Sequence, residues 1–520
     1  MLRISRLFTI LVLVALLFSA CQPIQAPASS AEPTQAKGYT PRYEPAECKY
    51  EVPEGDQIEC GYLTVPEDRS QPDGRMIRLY VVNFKSKSEN PAPDPVVVLI
   101  GGPGSPGAFY NYLWTATPIA ETLRADRDNI MIEHRGANYA EPAFYCPEME
   151  ADPADLVGMS FAEEVAWSGE AFAACAERWQ QEGWNLSMYS SLEAAADVLD
   201  LRTAMGYDQI NVYGVSYGTL PAMQLMRFDP TGIRSIIVDS IEAPEINWVA
   251  EMLKSTHNFL NTVFAACAED AACNAAYPEL AKAFYETLAR LRATPAPITV
   301  SDEAGNSYEV LVDDLMFVQF VTDSGIMGME YLQTPAVIYA AYQGDLQPTA
   351  KAWVDRVAYR HAETGPGTWS WSMGLYYTVE CLQDGTSITM DEAVNQYAQL
   401  GGDPSVHDWA ATAFLADTLA VCPAWQLTPP DPNVAIEPVT SDLPTLMLVN
   451  KFDTGLPAYL SRPAVERLPN SFFIELPAGH GSVLTPCGQA LMTQFLADPT
   501  QAPDASCIDE MTLDWVLPEK

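Results

Sequence analysis

The chain has 520 residues, 48% hydrophobic and 18% charged, which is enough apolar material for a large buried core and for two or more structural units. Disorder along the whole length is excluded. A formal net charge of -40 repels phosphate backbones and anionic lipid headgroups, so nucleic acid is not an expected partner. Acidity of this kind more often serves solubility than recognition, although it would also steer a cationic substrate.

The N-terminus carries Arg3 and Arg6, an apolar run from Leu7 to Phe18, then Ser19 and Ala20 ahead of Cys21. This is the layout of a secretory signal over residues 1–20, with an apolar stretch too short to span a bilayer. Leu17-Phe18-Ser19-Ala20-Cys21 resembles a bacterial lipobox, which implies cleavage before Cys21 and lipidation of its thiol; ordinary signal cleavage nearby is the alternative. The expected destination is the cell envelope or the exterior, with any membrane attachment made through the lipid anchor. Residues 21–45, rich in Pro, Ala, Ser and Gln, read as a flexible tether.

Setting Cys21 aside leaves ten of the 11 cysteines, an even number for pairing in an oxidising compartment. Sequence alone does not fix connectivity. Pairing of neighbours along the chain is expected: Cys48 with Cys60, Cys146 with Cys175, Cys267 with Cys273, Cys381 with Cys422, and Cys487 with Cys507. No Cys-x-x-Cys or His-Glu-x-x-His spacing occurs, so a zinc or redox role is not expected.

The segments Cys60–Pro66 and Met76–Val82, separated by a Pro72-Asp73-Gly74 turn, read as antiparallel strands opening a domain. The pattern then changes. Val96–Ile100, Ile236–Val238, Leu446–Val449 and Phe472–Ile474 are continuously apolar, as strands buried on both faces of a parallel sheet are. Helical spacing lies between them: Leu192, Ala195, Val198 and Leu199 share one face, and Tyr459, Leu460 and Val465 suggest another. An α/β fold with a mostly parallel, doubly wound sheet follows, its core formed by residues 46–245 and 436–520. Strand signals thin out in 246–435, where 248–291 and 336–361 look helical, so this stretch is expected to be a disulfide-tied helical cap.

Gly214-Val215-Ser216-Tyr217-Gly218 lies between the short strand Gln209–Tyr213 and the helical segment Leu220–Met226. Gly-x-Ser-x-Gly in that setting is the form of a nucleophile elbow. A serine nucleophile needs a base, an orienting carboxylate and donors for the oxyanion. Of the five histidines only His480, between two glycines, sits just past a late buried strand. Asp453 follows the strand Thr445–Val449, at an end where ligand-facing residues collect, whereas Asp442 precedes that strand. Ser216, Asp453 and His480 thus stand in the order of an α/β-hydrolase triad, which requires neither metal nor cofactor. Gly101–Gly107 lacks the Lys-Ser/Thr ending of a phosphate loop and reads instead as an oxyanion loop, with the Gly102 and Tyr217 N–H groups as donors.

Over most of its length after residue 45 the chain resembles α/β-hydrolase serine exopeptidases of the proline iminopeptidase and tripeptidyl aminopeptidase type. The matching features are Gly101-Gly102-Pro103-Gly104, Glu133-His134-Arg135-Gly136, the elbow, the Asp453 loop and Gly479-His480-Gly481; the Cys487 to Cys507 ending resembles that of the secreted tripeptidyl members. The family commonly has His where this chain has Ile100, and Asp-Gln-Arg-Gly where it has Glu133–Gly136. The resemblance implies release of amino acids or short peptides from a free N-terminus. Such an enzyme needs a buried carboxylate for the substrate ammonium, and Glu242 or Glu380 could supply it. A carboxylesterase or lipase-like hydrolase of the same fold is the nearest alternative, and a non-catalytic surface-binding lipoprotein is an alternative of another class.

Overall fold

The computed structural model describes residues 38–518 apart from 229, 302–304, 327–329, 384–391, 393–394, 396–398, 401 and 428–435. The expected signal peptide and Cys21 lie outside the described residues. In chain order the strands are β1 (Arg42–Ala46), β2 (Ile58–Pro66), β3 (Met76–Phe84), β4 (Val96–Leu99), β5 (Asn129–Ile132), β6 (Ile210–Ser216), β7 (Ile233–Ile241), β8 (Ala296–Ser301), β9 (Ser307–Val312), β10 (Thr445–Asn450) and β11 (Ser471–Leu476). The helices that bear on the site are α1 (Gly107–Ala116), α2 (Ser191–Met205), α3 (Thr219–Gln224), α4 (Trp248–Glu269), α5 (Asp314–Ile326), α6 (Met373–Gln383) and α7 (Pro486–Ala497).

Nine strands form one sheet in the order β1-β2-β3-β5-β4-β6-β7-β10-β11. β1, β2 and β3 pair antiparallel, β3 pairs antiparallel with β5, and the pairs from β5 to β11 are all parallel. The continuously apolar runs follow from this placement. In β4, Val97 and Leu99 enter one core while Val96 and Val98 enter the core on the opposite face; Met447 and Val449 divide from Leu446 and Leu448 in β10 in the same way. Arg42–Ala46, at the end of the stretch read as a tether, is instead the edge strand β1, where Pro45 is tolerated. In α2 the buried face centres on Ala194, Ala195, Val198 and Leu201, and Leu199 is only partly buried.

Between β7 and β10 a third core gathers around α4, α5 and the helix Leu280–Ala293. The paired strands β8 and β9 also lie there, in a stretch whose strand signal is short alternation: Val300, Val310 and Val312 are buried while Thr299, Glu309 and Leu311 are exposed. Five disulfides join cysteines that neighbour one another along the chain: Cys48–Cys60, Cys146–Cys175, Cys267–Cys273, Cys381–Cys422 and Cys487–Cys507.

β4 leads to β5 on one side of it and pairs with β6 on the other, so the winding reverses between β4 and β6. Ligands of open α/β sheets bind outside the C-terminal ends of the strands at such a point. The Gly101–Gly107 loop leaves β4 there, and Ser216 closes β6 beside it.

Candidate active site

Ser216 is held at φ 57°, in the left-handed region that a serine seldom occupies. The two elbow glycines are required by close approach. A Cβ on Gly214 would lie 2.3 Å from the Gly218 carbonyl oxygen, and one on Gly218 would lie 2.1 Å from that of Leu99. The strand, turn and helix therefore fold back upon themselves against β4, leaving Ser216 partly exposed in the lining of a cavity of about 660 Å³.

His480 lines the same cavity. Its Nδ1 lies 2.9 Å from Oδ2 of Asp453, which follows β10. The other oxygen, Oδ1, accepts the N–H groups of Gly455 and Leu456, each at 3.0 Å. Burial opposes charge on both partners, and their mutual attraction outweighs it: Asp453 is held below the usual carboxylate range, and His480 is raised above the usual imidazole value.

The loop carrying Gly102 is fixed from below and from the side. His134 Nε2 lies 2.9 Å from the Ile100 carbonyl oxygen, the Gly101 N–H donates to the Tyr110 hydroxyl at 3.1 Å, and Asn138 spans the loop by accepting from the Gly107 N–H and donating to the Ser105 carbonyl, both at 3.0 Å. Within Glu133–Gly136, the Arg135 guanidinium grips Asp197 through Nε and Nη2 at 2.8 and 2.7 Å, while Glu133 accepts from the Tyr50 hydroxyl and the Tyr139 N–H. Burial pushes the Glu133 carboxyl up to about 8. Gly102 thus lies on an anchored loop whose preceding residue abuts the elbow: a Cβ on Gly101 would lie 2.8 Å from that of Ser216. Tyr110 and Asn138 carry no motif that sequence could have flagged.

Glu242 and Glu380 both line the cavity. Glu242 follows β7 and is 6% exposed; its backbone N–H donates to Thr219 Oγ1 at 2.9 Å, and burial alone pushes its carboxyl up to about 7. Glu380, on α6 and 3% exposed, accepts from the Trp248 indole N–H at 2.9 Å. Burial first, then the fields of both carboxylates, raises the Tyr217 hydroxyl. The remaining walls are mainly apolar and aromatic, including Trp114 from α1, Trp248 from α4, and Trp371 and Tyr376 from the segment between β9 and β10. His134 and His361 are buried structural groups, the latter between Glu164 and the Met149 carbonyl.

Residues 94–486 match the α/β hydrolase fold family. The chain belongs to that family. Among curated relatives, this α/β hydrolase is 30% identical over 195 residues to the tripeptidyl aminopeptidase of Streptomyces coelicolor, covering 36% of each chain. It is 26% identical over 277 residues to the serine protease Hip1 of Mycobacterium tuberculosis, covering 49% of this chain and 52% of that one. The chain thus spans about half or less of the length of these relatives. A solved proline iminopeptidase from Mycobacterium smegmatis aligns over 84% of this chain and 98% of its own, with 13% identity and a TM-score of 0.35. No helix among the described residues of the α/β hydrolase is long and apolar enough to cross a membrane.

Proposed function

We propose that the protein is an exported serine aminopeptidase that releases amino acids or short peptides from free N-termini. The observation that carries this reading is one cavity lined at once by Ser216, by His480 on its Asp453 partner, and by two buried carboxylates, Glu242 and Glu380. His480 takes the Ser216 proton as the hydroxyl attacks the scissile carbonyl, and Asp453 holds the ring and stabilises the imidazolium. The Gly102 and Tyr217 N–H groups receive the oxyanion. His480 then protonates the leaving amine, and water activated by the same ring hydrolyses the acyl-enzyme.

An ammonium group entering a mainly apolar cavity must exchange its water for fixed acceptors. Glu242 and Glu380 are carboxylate acceptors in the lining of the cavity that Ser216 enters, and the tripeptidyl aminopeptidase and serine protease relatives support a peptide substrate. The five disulfides suit an oxidising compartment, in line with export, with Cys21 as the proposed point of lipid attachment.

The test compares Pro-, Ala-Pro- and Ala-Ala-Pro-type chromogenic amides with their N-acetylated forms and with short esters, using wild type and Ser216→Ala. Turnover of free amides that is lost in Ser216→Ala and weak on the acetylated forms is expected. Equal turnover of free and blocked amides would remove the aminopeptidase reading, and ester turnover alone would favour an esterase.

A further inference from the structure

Ser240 is fully buried in β7 yet has φ 52°, a conformation that glycine adopts without penalty and a serine does not. The register of β6 against β7 explains where it sits. Val215 pairs with Asp239 and Ser216 with Ile241, so Ser240 is the extra residue of a bulge placed directly beside the elbow. Bulges re-aim a side chain, and here the redirected hydroxyl meets three groups. Ser240 Oγ accepts the Gly481 N–H at 2.9 Å and the Asn450 Nδ2 at 3.1 Å, and it lies near the Asp453 carboxylate, whose charged form it favours. With two donors already directed at the oxygen, its own proton is left to face the Asp453 carboxylate.

The neighbouring residue completes the hold. Asp239 accepts the Ser482 N–H at 2.8 Å, the Val483 N–H at 3.1 Å and the Tyr213 hydroxyl at 3.1 Å. Asn450 accepts from Ser482 Oγ at 3.0 Å. The residue after His480 is thus tied to a hydroxyl that sits beside the carboxylate pairing with the ring, and the next two residues are tied to Asp239.

We propose that Ser240 is a positioning residue, whose hydroxyl sets the Asp453 carboxylate and the His480 loop in register with Ser216. A strained serine persists in the bulge because glycine there would supply the backbone conformation without the hydroxyl. This rests on the reading of Ser216, Asp453 and His480 as a catalytic triad.

Two variants separate the backbone from the hydroxyl. Ser240→Gly removes the hydroxyl and relieves the backbone; Ser240→Ala removes the hydroxyl and keeps the Cβ. Both are expected to lose roughly tenfold to hundredfold in kcat with little change in KM, as loss of the hydroxyl that accepts from the Gly481 N–H and faces the Asp453 charge implies. The acid limb of the kcat/KM profile should move to higher pH, because an Asp453 carboxylate without the neighbouring hydroxyl dipole attracts the His480 proton more strongly. In the free enzyme the downfield Nδ1 proton resonance of His480 should shift in both variants, a readout that needs no substrate. Wild-type kcat together with an unmoved resonance in either variant would overturn the proposal. A wild type whose turnover survives Ser216→Ala would instead remove the triad reading, while the resonance would still report whether Ser240 holds the pair.

Discussion

Asp453 presents its two oxygens to opposite tasks: Oδ2 faces His480 Nδ1 at 2.9 Å, and Oδ1 is occupied by the N–H groups of Gly455 and Leu456. The carboxylate can therefore turn neither away from the ring nor toward solvent. In Asp453→Asn the amide must point its NH2 either at the imidazole, which selects the wrong tautomer, or at two backbone donors. A fall in kcat of about four orders of magnitude is expected, in line with the same change in other triads. Steady-state turnover of a chromogenic amide, with Ser216→Ala as the baseline, measures it; a loss below about tenfold would mean that Asp453 does not orient the base.

The same pair fixes the pH behaviour. The charged groups that act on His480 are Asp453 and, more weakly, Asp239; together they raise its pKa above 6.5 despite burial. Catalysis needs the neutral ring, so kcat/KM should decline as pH falls through that raised value. The stability contribution has the opposite sign. The ion pair is fully present below the unfolded value near 6.5 and is lost as pH rises through the folded one. Activity and this part of the stability should thus move in opposite directions across the window, as a pH-rate profile and thermal unfolding over the same range would reveal.

The ammonium-binding role proposed for Glu242 carries a cost in stability. Its carboxyl rises from 4.5 to about 7 through burial, so between those values the native state keeps a proton that the unfolded chain gives up. Stability from this group is lost as pH rises through the window and does not return above it. Glu242→Gln should consequently unfold later at pH 8, by roughly 1–3 kcal/mol, with little change at pH 4. Its KM for free-amine substrates should rise at least about tenfold at pH 8, the size expected for losing a charge-assisted contact. An unchanged KM would assign the ammonium elsewhere.

What could be read in the sequence was what depends on short spacing. Continuous apolar runs marked the buried parallel strands, and glycines two positions either side of Ser216 marked the turn, because each signal is local. Asp453 and His480 were named from their places just past late apolar strands, the glycines flanking His480, and their order after the elbow. Ser240 was not legible, since its role arises from a bulge beside Ser216 and from a contact with Gly481, 241 residues further on. Glu242 and Glu380 could be named as carboxylates but not joined, because their sharing one cavity depends on tertiary packing that brings α6 and the end of β7 to the same site. The β8–β9 pair escaped because six-residue strands with Pro297 in one of them give too few periods to stand out from a helical surrounding.

Helix α5 ends against the loops that carry Asp453 and His480, and Gly325 makes that fit. The His480 N–H donates to the Gly325 carbonyl at 3.3 Å, and Thr454 Oγ1 donates to the Thr322 carbonyl at 3.1 Å. A Cβ on Gly325 would lie 1.8 Å from Thr454 Oγ1 and 2.8 Å from the Phe259 ring. Alanine normally stabilises a helix by about 1 kcal/mol over glycine, yet here it would wedge α5 away from the residue that follows Asp453. Overpacking should win, with Gly325→Ala losing roughly 1–3 kcal/mol in denaturant unfolding and a clear fraction of kcat. Thr454→Ala removes the obstructing hydroxyl, so the double variant Gly325→Ala/Thr454→Ala should recover more activity than the Gly325→Ala single variant retains. If the double variant recovers nothing, α5 does not act on the acid loop through this contact.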